Sequence, residues 1–391
     1  MNVALTRTPA EMACGGELLP HPRMEDWKWT NLRTLIDRPY PPRLKVEARA
    51  AHVARLIRAS CFGRVAATRM VFVNGHYNAA HSKLANGDNA SRLSADEPVM
   101  QMNQAFATDG ARLTLSGPAD TPVELLFIAT DAEPRTIATR NVIEIAAGAS
   151  ATIIESHVGE GAYLANSVTE LILGDGARLD RIKIECEAAT ALHLAHAHVT
   201  LGKDATLRDF TLTSGARVNR QNGTYVFNGE GSDAKISGAY LLAGKQHVDT
   251  RLVVDHAVPH CTSRELFKCV MDENARGIFQ GKVIVRRDAQ KTDGKQSSHA
   301  LLLSDTAEFD AKPELEIFAD DVVCGHGATS GDLNEDHIFY LRSRGVPENE
   351  ARSLLIAAFV GEAFETIEHD GIRAALTAYA AGWLTEHRRV K

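Results

Sequence analysis

The order of apolar and polar residues divides the chain into three stretches with different periods. Over residues 47–60 the run EARAAHVARLIRAS sets Ala50, Val53, Ala54 and Ile57 at i, i+3, i+4 and i+7, the spacing of an amphipathic helix that buries one face. The first part of the chain therefore reads as largely helical. Residues 69–74 alternate as a strand does and end at the turn residue Gly75, and residues 102–106 lead into another such run at 111–115.

Between about residues 125 and 318 the pattern changes to many short runs rich in Val, Ile, Thr and Leu, each broken by Gly, Asp or Asn. A tetrad of the form Ala-x-apolar-x follows a Gly or Asp turn signal at Ala149, Ala177, Ala205 and Ala234, residues 28, 28 and 29 apart, with a looser match at Ala307. A period of this size implies units that cannot bury their own apolar faces and must stack on their neighbours. With two or three short strands per unit and no crossover helix between them, the object predicted is a parallel β-helix or related coiled sheet; an antiparallel sandwich with accidental spacing is the competing arrangement.

The last sixty residues return to helical spacing. Leu333 and Ile338 flank an Asn334 cap as a hydrophobic staple, and Gly345 is placed to end that helix. Pro347 suits the first position of a second helix, with Ala351, Leu354, Leu355, Ala358 and Phe359 along its buried face, and a third helix runs from about Gly371 to His387. The expected chain is mainly β: an N-terminal, mainly helical domain over 1–105, a β-helix core over 106–331 and a C-terminal helical domain over 332–391. The terminal helices are expected to cover the open end of the β-helix and to offer a protein-binding surface.

Composition narrows the function. The 391 residues carry 43 Lys and Arg against 50 Asp and Glu, a net charge of −7, which argues against a nucleic-acid footprint. The 29 glycines and only 6% aromatic residues suit a structure made of many turns. Six cysteines, at 14, 61, 186, 261, 269 and 324, form no C-x-x-C pair and read as reduced thiols in a cytoplasm. The first residues and the longest apolar runs, 123–129 and 354–360, fall far short of the ~20 residues of a membrane span, so secretion and membrane insertion are not expected.

Common catalytic signatures are missing from the sequence: the P-loop, G-x-S-x-G and H-E-x-x-H. Three groups of donors remain. In LHLAHAHVT, alternation puts His196 and His198 on one face and His193 on the other, a spacing that could hold a metal but is commoner in satisfied core histidines. His256, His260 and Cys261 gather soft and borderline donors, with a structural role as the alternative. Cys324 and His326, in CGHGAT, point to one face of an extended segment between the strand-rich region and the terminal helices, a pair suited to iron or an iron–sulfur cluster. Two ligands do not complete a four-coordinate site, so a partner would have to supply the rest.

At residues 319–356, ADDVVCGHGATSGDLNEDHIFYLRSRGVPENEARSLLI, the chain closely resembles the signature of the SufB/SufD family of the SUF iron–sulfur cluster assembly system. Residues 243–285 and AQKTDGKQ at 289–296 agree with it, and PRMEDWKWTNL at 22–32 resembles the entry motif of the SufD branch. Gly325 stands where Ser is common, and SSHALLLSD at 297–305 replaces a more usual Asn-rich lead.

The resemblance implies a right-handed parallel β-helix flanked by helical domains, acting as a non-catalytic scaffold. It implies pairing with a SufB-type subunit through the C-terminal part of the β-helix, and a SufC-type ABC ATPase docked on the terminal helices around Asn334, Tyr340, Arg342, Arg344 and Gly345. His326 takes the place of a cluster ligand or iron donor, with Cys324 the lesser candidate. No cofactor is expected to be tightly bound to the isolated chain; iron or a transient cluster, and reduced FAD, belong to the complex, and the isolated chain could pair with itself. Two readings from other classes compete: a carbohydrate-active lyase or hydrolase using carboxylates such as Asp249 and Asp255, and a homodimeric metal-binding protein using His256, His260 and Cys261.

Overall fold

The computed structural model describes residues 19–42, 48–88, 90–94, 97–130 and 133–387. The expectations that rest on Glu47, on Cys14 and on the first residues lie outside the described part. Two short strands, β1 (Thr68–Val73) and β2 (His76–Tyr77), come first and form a hairpin. Its turn is Asn74-Gly75, both with positive φ, as a tight two-residue hairpin requires. Next come β3 (Arg112–Leu115), β4 (Val123–Ala129), β5 (Arg135–Ile145), β6 (Ser150–Gly159), β7 (Tyr163–Leu173) and β8 (Arg178–Cys186). They continue as β9 (Leu192–Leu201), β10 (Thr206–Thr213), β11 (Val218–Phe227), β12 (Asp233–Leu242) and β13 (His247–His256). The last are β14 (Thr262–Met271), β15 (Arg276–Val285), β16 (Asp293–Leu302), β17 (Glu308–Ile317) and β18 (Val323–Gly331).

From β3 onward the chain alternates between two sheets. One runs β18-β16-β14-β12-β10-β8-β6-β4-β1-β2, the other β17-β15-β13-β11-β9-β7-β5-β3. Apart from the β1–β2 hairpin, neighbours are parallel, so each coil contributes one strand to each sheet and the coils stack into a parallel β-helix of about eight turns. The unit has two strands. Because β1 already pairs with β4, the coiled sheet starts well before residue 106.

The register explains the repeat. Ser150, Arg178, Thr206, Asp233, Thr262, Asp293 and Val323 stand side by side across the first sheet. Two residues ahead of the first six of them lie Gly148, Gly176, Asp204, Gly231, His260 and Lys291, all in the left-handed backbone region that lets the chain turn the corner. The residue between, Ala149, Ala177, Ala205, Ser232, Cys261 or Thr292, is buried every time. The first three tetrads are thus true equivalents. Ala234 is not: it stands beside Leu207, and the fourth equivalent is Ser232. Ala307 belongs to the other sheet, at the head of β17 beside the head of β15.

Helices coat the flanks. Helix α1 (Leu32–Leu35) and the short turn Glu25–Trp27 pack with α3 (Pro98–Phe106) on the outer face of the second sheet, burying Trp27, Leu32, Tyr40 and Met102 against Leu164, Leu192, Leu194 and Val218. Helix α2 (Ala50–Ala59) seats Val53 and Leu56 on Val71, Val73, Leu126 and Ile128 of the first sheet. The expected Ala50 is exposed there and Leu56 takes its place.

At the C-terminus come α4 (Glu335–Ser343), α5 (Glu348–Gly361) and α6 (Asp370–Glu386). Asn334 caps α4 by accepting from the amides of Asp336 and His337, and Leu333 and Ile338 are both buried, as the staple pattern predicts. Pro347 is the cap before α5 rather than its first residue. These helices do not close the end of the β-helix. They pack on its side, against Ile182, Ile184, Phe210, Leu212, Leu241 and Val270, because the outward positions of β8, β10, β12 and β14 carry the large apolar area that needs cover. No helix among the described residues is long and apolar enough to cross a membrane.

Candidate functional site

The uncovered end of the β-helix is formed by β17 and β18, the last strand of each sheet. Ile317, Phe318 and Val323 are exposed there, Phe318 and Val323 by 61% each, and among the described residues no strand neighbours the outer backbone edge of β18. An edge of this kind is a template for pairing. Pro313 removes one donor from β17, a residue that sheets tolerate only at such an edge.

Cys324 and His326 sit on β18 at alternate positions and so share one face, as the sequence predicts; the structure makes it the lumen face. Cys324 stands beside Gly294 and His326 beside Gln296 on β16. Gly294 leaves room for the sulfur, whose Sγ lies 3.6 Å from where a Cβ would be. Cys324 is half-buried and His326 exposed. Burial pushes the Cys324 thiol up; the amide of Gly294 works the other way, and the charges of Asp293 and Glu265 add to the rise. The thiol is therefore a weaker donor until a metal displaces its proton, whereas the His326 imidazole is accessible from solvent.

Behind them lies a residue that sequence reasoning missed. Glu265 on β14 pairs in register with Gln296, so Glu265, Gln296 and His326 form one column of the sheet, its ends two strand spacings, roughly 10 Å, apart. Glu265 is 3% exposed and neither carboxylate oxygen has a hydrogen-bond partner; burial raises its pKa to about 7. Gln296 reaches across the lumen into space that only a glycine leaves: a Cβ on Gly281 would stand 2.2 Å from its Nε2. The signal in the sequence was a carboxylate at an inward position of the run Ser263, Glu265, Phe267.

The other predicted donors disperse. His256 is buried, stacked on Phe227 and hydrogen-bonded through Nε2 to Ser263 at 3.1 Å. His260 holds a left-handed corner position and is exposed. The Cys261 thiol donates to the carbonyls of Gly229 and Pro259. These three do not converge; among the described residues the donors that gather are His157, Glu187 and His193. His196 lies outside the lumen under the N-terminal helices, 3.8 Å from Glu97.

The carboxylates of the sugar-enzyme reading are also engaged. Asp249 is sealed beneath the N-terminal segment, paired with Arg220 and accepting from Thr30 at 2.5 Å, and Asp255 is paired with Arg286. Thr30 and Trp27, the latter under the Arg220 guanidinium at 4.5 Å, show what the motif at 22–32 does: it anchors the N-terminal segment on the second sheet.

On the terminal helices, Tyr340 is 55% exposed beneath the Arg344 guanidinium at 3.7 Å, and Phe339 and Leu354 are exposed too. Arg342 pairs with Glu348, and Gly345 turns the chain with a φ of 86°. The Asn334 side chain is spent on its cap.

Residues 127–359 match the family model for the SufBD core domain of SUF-system iron–sulfur cluster assembly, a span that holds β5 to β18 whole and reaches into α5. The chain is 32% identical to a SufBD-family iron–sulfur cluster assembly protein of Synechocystis over 90% of its own length and 85% of the relative's. It is 30% identical to the iron–sulfur cluster assembly protein SufD of Escherichia coli over 92% of its length and 88% of the relative's. A SufBD-family protein of Mycobacterium tuberculosis is 36% identical over 58% of this chain and 59% of its own. With the coiled core and the helices on its flanks both inside these matches, the chain belongs to the SufB/SufD family and has a role in iron–sulfur cluster assembly.

Proposed function

We propose that this chain is a non-catalytic scaffold subunit of the SUF machinery, pairing edge to edge with a SufB-type subunit and presenting His326, with Cys324 behind it, to the nascent cluster at that junction. The observation that carries the reading is the open end itself: the free outer edge of β18, exposed Ile317, Phe318 and Val323, and a pair of metal donors on β18 that is an incomplete ligand set. A partner strand laid along this edge would satisfy its backbone groups, cover the apolar side chains and bring the missing ligands.

Gly325, Gly327 and Gly331 support this, because the space where their side chains would be is empty and backbone or cluster can approach closely. Iron and the cluster are cargo here. Reduced FAD, like iron and the cluster, would belong to the assembled complex.

The terminal helices take a second partner, a SufC-type ATPase, on the surface around Phe339, Tyr340, Arg342 and Arg344. Large exposed aromatic groups beside arginines are the usual anchors of such an interface. Without the ATPase's chemistry of its own, the chain would transmit closure of that partner from the helices to the sheet on which they are packed.

The test is reconstitution of the three-subunit complex with His326→Ala in this chain. Cluster formation, followed by visible absorption, is expected to fall at least about tenfold while the complex still assembles, the loss that one ligating or second-sphere group carries. Unchanged assembly of clusters removes His326 from the mechanism, and failure of the wild-type chain to form the complex removes the reading itself.

A further inference from the structure

The middle of the lumen is not the apolar filling that a stacked coil needs only for stability. From β6 to β11 the inward positions include, beside apolar ones, Glu155 and His157, Arg181, Lys183 and Glu185, His193, Asp209 and Tyr225, all buried. We propose that His157, His193 and Glu187 form a binding site for one divalent transition-metal cation inside the β-helix, with Glu155 orienting the His157 imidazole and Glu185 adding negative charge beside His193. The inference is independent of the cluster-assembly reading.

Geometry comes first. One donor atom from each of the three residues lies within 4.8 Å of the others. A tetrahedral ion with nitrogen and oxygen ligands at about 2.0–2.2 Å holds them about 3.3 Å apart, a contraction that side-chain rotation supplies.

The first imidazole is already held as a metal-bound histidine is: His157 Nε2 is hydrogen-bonded to Glu155 at 2.8 Å, which leaves Nδ1 to bind. His193 Nε2 lies 2.9 Å from Glu185 Oε1 without the alignment of a hydrogen bond and 3.4 Å from the Lys183 ammonium, and its Nδ1 faces Glu187. The two rings meet edge to face with centroids 4.7 Å apart.

The third ligand supplies a second, separate observation. His193 Nδ1 and Glu187 Oε2 are 2.7 Å apart, yet they are not aligned as a hydrogen bond, and each is buried without a hydrogen-bond partner. Buried polar atoms are rarely left so. Glu187 and His157 also line a cavity with Thr139, Tyr163 and Ser167, which offers a place for a further ligand such as water.

Charge points the same way. Around this cluster, among the described residues, Glu155, Glu185, Glu187 and Asp209 face two permanent cations, Arg181 and Lys183, with ion pairs of 2.6–2.9 Å. Two negative charges are left inside a closed lumen, and one dication neutralises them where two imidazolium protons would otherwise be needed. With imidazole and carboxylate donors and no thiolate, the class is a borderline divalent ion such as zinc, ferrous iron or cobalt.

The test uses the full chain, stripped with a chelator and titrated with cobalt(II), in a Cys324→Ser, His326→Ala background so that the open end cannot contribute. One cobalt per chain with ligand-field absorption and no thiolate charge transfer is expected. Glu187→Gln and His157→Gln should each weaken uptake at least about tenfold. Absence of stoichiometric uptake, loss of it in the background variant, or uptake unchanged by both lumen substitutions overturns the site. Should the lumen variants fail to fold, X-ray absorption of the cobalt-loaded background protein decides: a shell with two imidazoles supports the proposal, and a sulfur shell or none with imidazole overturns it.

Discussion

His247 shows how much a single position depends on what covers it. On β13 it would be an exposed polar residue of a strand, but the N-terminal segment lies over it and Thr30 Oγ1 sits 2.9 Å from its Nε2. Burial lowers its pKa to about 4 although Asp249 pulls the other way. The native imidazole thus stays neutral where the unfolded one, with a pKa near 6.5, takes up a proton. The unfolded state binds more protons between about pH 6.5 and 4, and stability must fall as pH drops through that window. Denaturant unfolding across this range should show the loss, and His247→Gln should make it shallower by on the order of 2–3 kcal/mol at the acid end. An acid limb of the same steepness in the variant would assign it to other groups. The lumen charges teach the same lesson from the other side. In RLDRIKIEC, charged and apolar residues alternate, and the simple expectation puts the charges in water. Here the C-terminal helices claim Ile182 and Ile184, so Arg181, Lys183 and Glu185 point inward. Burial opposes the ionisation of Glu155 and Glu185, and the facing cations, Arg181 for the first and His193 and Lys183 for the second, outweigh it and hold both well below the usual carboxylate range.

Elements were legible to different degrees. The coils announced themselves because each corner needs a left-handed residue followed by a small inward one, and Gly148-Ala149, Gly176-Ala177 and Asp204-Ala205 satisfy that literally. Later corners use His260-Cys261 and Lys291-Thr292, which satisfy it sterically but carry no turn signature, so the period blurs. Packing at the corners is tight enough to test. A Cβ on Gly229 would stand 1.9 Å from the backbone nitrogen of Lys203 in the coil beneath, and backbone cannot move aside. Gly229→Ala should cost about 3 kcal/mol or more in denaturant unfolding. Gly382, inside α6 with nothing within 4 Å of its missing Cβ, is the contrast: Gly382→Ala should gain about 0.5–1 kcal/mol. Equal effects would mean that corner contacts do not limit stability. Helix α5 was placed correctly and rotated wrongly. Its run LLIAAFV is apolar on every side, so periodicity does not choose a face. Contacts with α4, α6 and β14 choose Ala351, Ile356 and Val360, leaving Leu354 exposed.

For the molecule as a whole, the side-on position of the C-terminal helices matters most. They leave the β17 and β18 edge open and carry the exposed Phe339 and Tyr340 themselves, so the two surfaces proposed for partners belong to different elements. Phe318→Asp combined with Val323→Asp should abolish co-purification with a SufB-type subunit while leaving the chain's own unfolding free energy within about 0.5 kcal/mol, since both side chains are exposed. Retained pairing would place the interface away from this edge.

The sequence by itself determined the coiled parallel architecture, the helical segments and the family, because turn chemistry, strand period and the motif around Cys324 and His326 are local properties written residue by residue. Tertiary structure alone decided which face of each strand is inside, since alternation is symmetric until something covers one side. That choice brought Glu265 into the column of His326 and drew His157, Glu187 and His193 together from β6, the end of β8 and β9. Their separations along the chain are about one or two coils, but only the stacking of one coil on the next, with these positions turned inward, makes them neighbours.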